Sequence, residues 1–214
     1  MRKLVFVLAL FFVLTACSYQ ATTSVSPAYN VYSSYEDKIP GSFALYVDSD
    51  EMKGTYKVRG FTCSAHKFPI DAQKSFEISV LKTTQDLFEN IELVTKPLSK
   101  EQLASLNYDA IVIVEAEDID VKISVIQGFW SGEIEAEVEI VASVIVDSKN
   151  ERILGATVTA EKDSLHPAGA ACSGGANALG EATNESLEET MKRLGEKLTN
   201  SKKLRNMNTS PKAI

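Results

Sequence analysis

Only two histidines, one tryptophan and three cysteines occur in the 214 residues of this chain. Histidine is the commonest transition-metal ligand and general base, so two of them leave little room for centres built on imidazole. Gly-x-Ser-x-Gly, His-Glu-x-x-His and an Asp-rich calcium loop are all missing. With them goes the sequence ground for a serine hydrolase, a zinc protease or an EF-hand, and no enzyme or cofactor is expected. The glycines of "GAACSGGANALG" stand before a helical pattern, but no Gly-Lys-Ser/Thr ends the run and no βαβ unit leads into it. That stretch reads as a turn and a helix start rather than a phosphate loop. Beyond the first 14 residues no apolar run approaches the roughly 18 that a spanning helix needs. Basic charge is also short, 22 Lys and Arg against 29 Asp and Glu, for a net charge of −7. A chain this acidic is not built to follow a polyphosphate backbone, so nucleic acid and anionic headgroups are not expected partners.

What is present begins at the N-terminus. Arg2 and Lys3 form a basic start, residues 4–14 are an unbroken apolar run, and small residues follow. This is the layout of a secretory signal. Within it Leu14-Thr15-Ala16-Cys17 resembles the lipobox of bacterial lipoproteins, in which cleavage falls before a cysteine whose thiol carries a diacylglycerol. The resemblance implies a signal peptide over 1–16, lipidation of Cys17 and attachment to a membrane through the acyl anchor, since two or more chains hold firmly where one does not. Ser18 after the anchor implies, by likeness to Gram-negative sorting, the periplasmic face of the outer membrane. In another kind of cell the same anchor implies the cell surface. Removing 1–16 takes two bases and no acids, leaving a net charge of −9.

Residues 17–40 are rich in Ser, Thr, Ala and Tyr, with Pro27 and Pro40, and show neither helical nor strand period. They are expected to be a flexible tether carrying the lipidated cysteine. A single domain is expected over 41–200, followed by a polar tail over 201–214. Strands are predicted at 42–48 and 55–63, and a helix capped by Asp71 follows from apolar residues spaced three and four apart from Ala72 to Phe88. A short strand over 90–94 and a small helix capped by Ser99 come next. Along 108–126 the apolar residues change from even to odd positions near Glu117 and Asp118, which predicts a bulge. Ile134, Ala136, Val138 and Ile140 alternate with Glu133, Glu135, Glu137 and Glu139, the mark of a strand with one buried and one wet face. Lys149 and Asn150 turn the chain into a last strand, and a helix of about 20 residues carries Leu179, Ala182, Leu187, Met191, Leu194 and Leu198 on one stripe. The fold class is α+β: a two-layer sandwich, mainly an antiparallel sheet with two long amphipathic helices packed on one face. In layout it is similar to outer-membrane lipoproteins of the lipopolysaccharide-assembly type and the YajG-like group.

Cys63 and Cys172 form an even pair in an exported chain, where thiols meet oxidants, and a disulfide between them is the favoured reading. Cys63, His66, His166 and Cys172 also form an acceptable zinc set, and a catalytic thiol with a neighbouring histidine is a further alternative. The glutamates of 133–139 could offer oxygen ligands to calcium, against the plainer reading of a solvated face. Phe129 and Trp130 in "GFWSG" are candidate partner contacts, or else a small satellite core. The functional expectation is a non-enzymatic, lipid-anchored accessory or scaffold factor with an envelope protein as partner. The alternative is a periplasmic binding module with a small ligand or envelope polymer in a helix–sheet pocket.

Overall fold

The computed structural model describes residues 18–207 except Tyr29, Phe61, Phe129 and Trp130. Eight strands and four helices follow in order: β1 Ile39–Asp48, β2 Lys53–Tyr56, β3 Val58–Arg59, β4 Phe68–Asp71, α1 Gln73–Leu87, β5 Phe88–Leu93, α2 Lys100–Ser105, β6 Ala110–Gln127, β7 Gly132–Ser148, β8 Arg152–Pro167, α3 Gly174–Thr199 and α4 Lys202–Arg205. The main sheet has the order β5-β1-β6-β7-β8, with β3 paired to the end of β6, and β2 and β4 form a small antiparallel pair of their own. β6, β7 and β8 are antiparallel to one another. β1 runs parallel to both β5 and β6.

The long strands follow from their side-chain alternation. In β7 the even-numbered residues from Ile134 to Val146 are buried, and Glu133, Glu135, Glu137 and Glu139 point to the other face. In β6 the register slips between Ala116 and Asp118, so Val112 and Val114 before the bulge and Ile119, Val121 and Ile123 after it all reach the same core. One extra residue rescues a face that a strict period of two would have turned outward.

α1 and α3 cover that inner face. Phe76 and Val80 of α1 and Leu179, Leu187, Met191 and Leu194 of α3 are fully buried with the β6 and β7 residues. Phe43 and Phe88 meet edge to face with ring centroids 4.7 Å apart. Each such side chain contributes roughly 1.5–3 kcal/mol by leaving water. The smaller α2 lies on the opposite face, where Leu103 packs with Ala44 and Ile111. Its start is a capping box: Ser99 accepts from the Gln102 backbone N–H, and the Gln102 side chain accepts in return from the Ser99 N–H.

Several boundaries differ from expectation. The helix after Asp71 is capped at Ala72, and Asp71 Oδ1 only accepts from the Gln73 N–H at 3.2 Å. α3 has 26 residues because Gly174 and Gly175 lie inside it rather than before it. A side chain at Gly174 would meet the Pro167 carbonyl oxygen at 1.9 Å, and one at Gly175 would meet the Phe68 ring at 2.5 Å. The two glycines thus let the first turn press against β4 and the end of β8. The polar tail is docked over 201–207: Leu204 is buried, and Arg205 donates to the Thr199 and Asp37 carbonyl oxygens at 2.7 and 2.8 Å while lying 4.1 Å from the Tyr35 ring centre. Residues 208–214 lie outside the described residues.

Candidate functional site

The segment expected as a flexible tether lies in a groove between α1 and α3. It runs in the same direction as both helices. The Ser26 N–H donates to Ser79 Oγ and the Ala28 N–H to Thr83 Oγ1, at 2.8 and 3.1 Å, on the α1 side. On the α3 side the Ser24 N–H donates to Asn184 Oδ1 and the Ser34 N–H to Asn200 Oδ1, at 2.7 and 2.8 Å. Ala21 and Ala28 are buried. Two glycines make the room: a Cβ at Gly180 would lie 2.6 Å from the Thr22 carbonyl oxygen, and one at Gly195 would lie 2.7 Å from the Val31 side chain. The strap is held by its backbone, which is why its own sequence carries no apolar period. The signal that would have found it is on the helices. Ser79 and Thr83 are fully buried, and Ser79 Oγ donates to the Ser75 carbonyl while it accepts from the strap.

At its start the strap runs extended and parallel beside Lys67 and the first residues of β4, through an isolated bridge from Ser18 to Lys67. The Tyr19 N–H donates to Lys67 O and the Ala21 N–H to Pro69 O, both at 3.0 Å. The Tyr19 ring leans on His66 and Phe68, with centroid distances of 5.7 and 6.4 Å. The described chain therefore begins at a fixed point, one residue after Cys17. Cys17 itself, like Phe129 and Trp130, lies outside the described residues.

Cys63 and Cys172 are joined by a disulfide with Cα atoms 5.9 Å apart. It clasps the turn before β4 to the start of α3. The backbone there is costly: Cys63, Ala171 and Cys172 all have positive φ, at 63°, 51° and 64°. Non-glycine residues adopt that conformation only where the surroundings enforce it. With both sulfurs in one bond, neither cysteine is a thiolate ligand or nucleophile, so the zinc and catalytic-thiol alternatives do not apply to this state. His166 turns elsewhere. Its Nε2 is 2.5 Å from Glu181 Oε2, which also accepts from Ser164 Oγ at 2.7 Å. The Ser164 hydroxyl first, and His166 second, hold the Glu181 carboxyl below the usual range. His66 sits on Tyr19, with an Nδ1 that is buried and has no hydrogen-bond partner.

The outer sheet face is acidic but internally arranged. Lys122 pairs with Glu137, and Ser124 Oγ donates to Glu135 at 3.2 Å. The hydrogen bond from Lys122 lowers the Glu137 pKa, and the hydrogen bond shared with Glu137 raises that of Glu161. Among the described residues no three His, Cys, Asp or Glu side chains are placed to hold a metal ion. A depression of about 570 Å³ opens at the far end of the sheet, lined by Ser148, Lys149, Asn150, Lys202 and Lys203. It lies at the rim, where α4 meets the turn between β7 and β8.

Two long helices on one face of an antiparallel-rich sheet, with the short α2 on the other, define the class of the fold, an α+β sandwich. No family model and no curated protein matches the chain. Solved structures of similar layout include a Xanthomonas campestris protein of the family DUF330, at 11% identity and a TM-score of 0.47, covering 90% of this chain and 99% of that one. A neuraminyllactose-binding hemagglutinin homolog from Helicobacter pylori has 9% identity and a TM-score of 0.45, over 90% of this chain and 98% of its own. A minor lipoprotein from Acinetobacter baumannii has 6% identity and a TM-score of 0.37, over 74% and 92%. Likeness at this level carries no residue or role from those proteins to this one.

Proposed function

We propose that the protein is a lipid-anchored lipoprotein of the bacterial cell envelope, held through acylated Cys17 on the periplasmic face of the outer membrane. There it serves as a non-enzymatic accessory or scaffold factor for an envelope complex. The observation that carries this reading is the N-terminal sequence, where a basic start, an apolar run and Leu14-Thr15-Ala16-Cys17 occur together in order. The Cys63–Cys172 bond supports it, because such a bond persists in an oxidising compartment outside the cytoplasm. The contribution is positional: a domain confined to a surface meets a partner on that surface at a raised effective concentration.

Export in a Gram-negative host with labelled palmitate tests the anchor. Label is expected on the wild type and not on Cys17→Ser; label that persists in the variant, or is missing from the wild type, defeats the reading. Cross-linking in intact cells tests the role. An envelope protein is expected to co-purify with the wild type and to be lost with Trp130→Ala, and capture of no envelope protein by the wild type would remove the scaffold assignment.

A further inference from the structure

We infer that one end of the domain, the end clasped by the Cys63–Cys172 bond, seats directly on the bilayer surface, with Ile126 and Leu165 reaching the headgroup layer. This deepens the reading of Cys17 as an acylated anchor and rests on it.

The leash between anchor and domain is short. A flexible segment of 23 residues would let the domain roam about 25 Å from its anchor. The strap removes that freedom. Ser18 bridges to Lys67, and Tyr19 and Ala21 are hydrogen-bonded to the chain at Lys67 and Pro69. The Cα of Cys17 is therefore about 3.8 Å from a fixed point. Acyl chains on that residue must lie in the bilayer, so the surface around Ser18 must lie against it.

Ser18 stands at one end of the sheet. The turn holding Thr62 and Cys63 is bonded to the end of β6 through Gln127 Nε2 and Thr62 Oγ1 at 2.9 Å, and to the start of α3 through the disulfide. The end of β8 joins the same region, where the Ala168 N–H donates to Gly132 O. This end carries two of the exposed large apolar side chains, Ile126 and Leu165, at 44% and 47% exposure. Ile126 and Pro167 face Glu133 from either side, and Leu165 pairs with Glu135 one step further in. Ala65, Ala170 and Ala171 are exposed nearby.

Charge separates the two ends. Lys149, Lys202 and Lys203 are gathered at the opposite end of the sheet, on the order of 50 Å away along the 18-residue β6. At the seated end the exposed Arg59 and Lys67 stand against Glu133 and Glu135, so bases and acids offset one another beside the apolar residues. That composition suits a zwitterionic headgroup layer and not an anionic one.

The test uses the full chain, exported and acylated, with the mass of its N-terminal peptide checked first, in nanodiscs of phosphatidylethanolamine and phosphatidylcholine. A nitroxide is placed on Ile126→Cys or, at the far end, on Asn150→Cys, with the native disulfide closed. Relaxation by oxygen and by a water-soluble nickel complex is then compared. Oxygen is expected to dominate at position 126 and nickel at position 150. In a second pair, with the nitroxide on Pro167→Cys, the change I126D/L165D should shift the label toward nickel while acylation is unchanged. Equal aqueous exposure at 126 and 150 on an acylated protein overturns the seating and leaves the anchor standing. A label at 126 that is aqueous in nanodiscs but immobilised by added envelope protein overturns it in favour of a protein partner. A wild type without acyl groups removes both.

Discussion

The two faces of β7 are built from one stretch of chain and behave oppositely. Val138 is fully buried under α3, and Glu137 and Glu139, one position away on either side, stand on the open face. On the inner face the Val138 carbonyl accepts from Ser186 Oγ at 2.6 Å, and a helix, a strap and a disulfide all depend on close approach. On the outer face the contacts are side chain to side chain, and water can replace them. A difference of one residue in position thus separates structure from surface.

The largest effect is expected from Val138→Asp. An unpaired carboxylate under α3 is expected to cost more than about 4 kcal/mol and to unfold the domain, measured by urea titration. Glu139→Ala, its neighbour, should leave the denaturation midpoint unchanged. Next in size is the clasp. Cys63→Ser with Cys172→Ser opens a loop spanning 109 residues of sequence, and the chain-entropy model gives about 5 kcal/mol of lost stability, less whatever is regained by relaxing the positive-φ backbone. A loss near zero would mean that the strap and glycine contacts hold that end alone.

Smaller still is Gly180→Val. The new side chain meets the Thr22 backbone and not a movable tip, so about 1–3 kcal/mol of overpacking is expected. Limited proteolysis should then cut within residues 22–31 while the far-ultraviolet circular dichroism is preserved. The smallest effect is on pH, and its sign differs between the two sites. Glu181 is held below the usual carboxylate range. Its contribution is present above about pH 4.3 and is lost as pH falls through the folded value. Glu161 is raised, so its environment favours folding at low pH, and that contribution is lost as pH rises through its folded value. Glu181→Gln should therefore flatten the acid limb of a stability curve, and Glu161→Gln should lift the side above it. Curves of unchanged shape would show that neither hydrogen bond survives in solution.

The sheet was largely legible in the sequence because a period of two and its break at Glu117 and Asp118 are local signals. The same holds for the Ser99 cap, whose partner is three residues away. The parallel pairing of β1 with β5 and β6 was not legible, since nothing in residues 39–48 names a partner 48 or more positions later. The strap was missed for a related reason. Its docking is written in Ser79, Thr83, Gly180 and Gly195, which read as unremarkable polar and small residues until the third element between the helices is known. Of the candidate site residues, Cys63, Cys172, His66 and His166 have defined surroundings, and Cys17, Phe129 and Trp130 lie outside the described residues.

The strap also imposes an order on folding. Half of its groove is α3, the last long element of the chain, so residues 22–34 have no place to rest until residues 174–200 exist as a helix. In a chain that crosses a membrane with its beginning first, the segment beside Cys17 is therefore the earliest to arrive and among the latest to settle. If the proposed export holds, the segment following Cys17 stays undocked throughout translocation and becomes a short, stiff stretch only once the final helix closes over it.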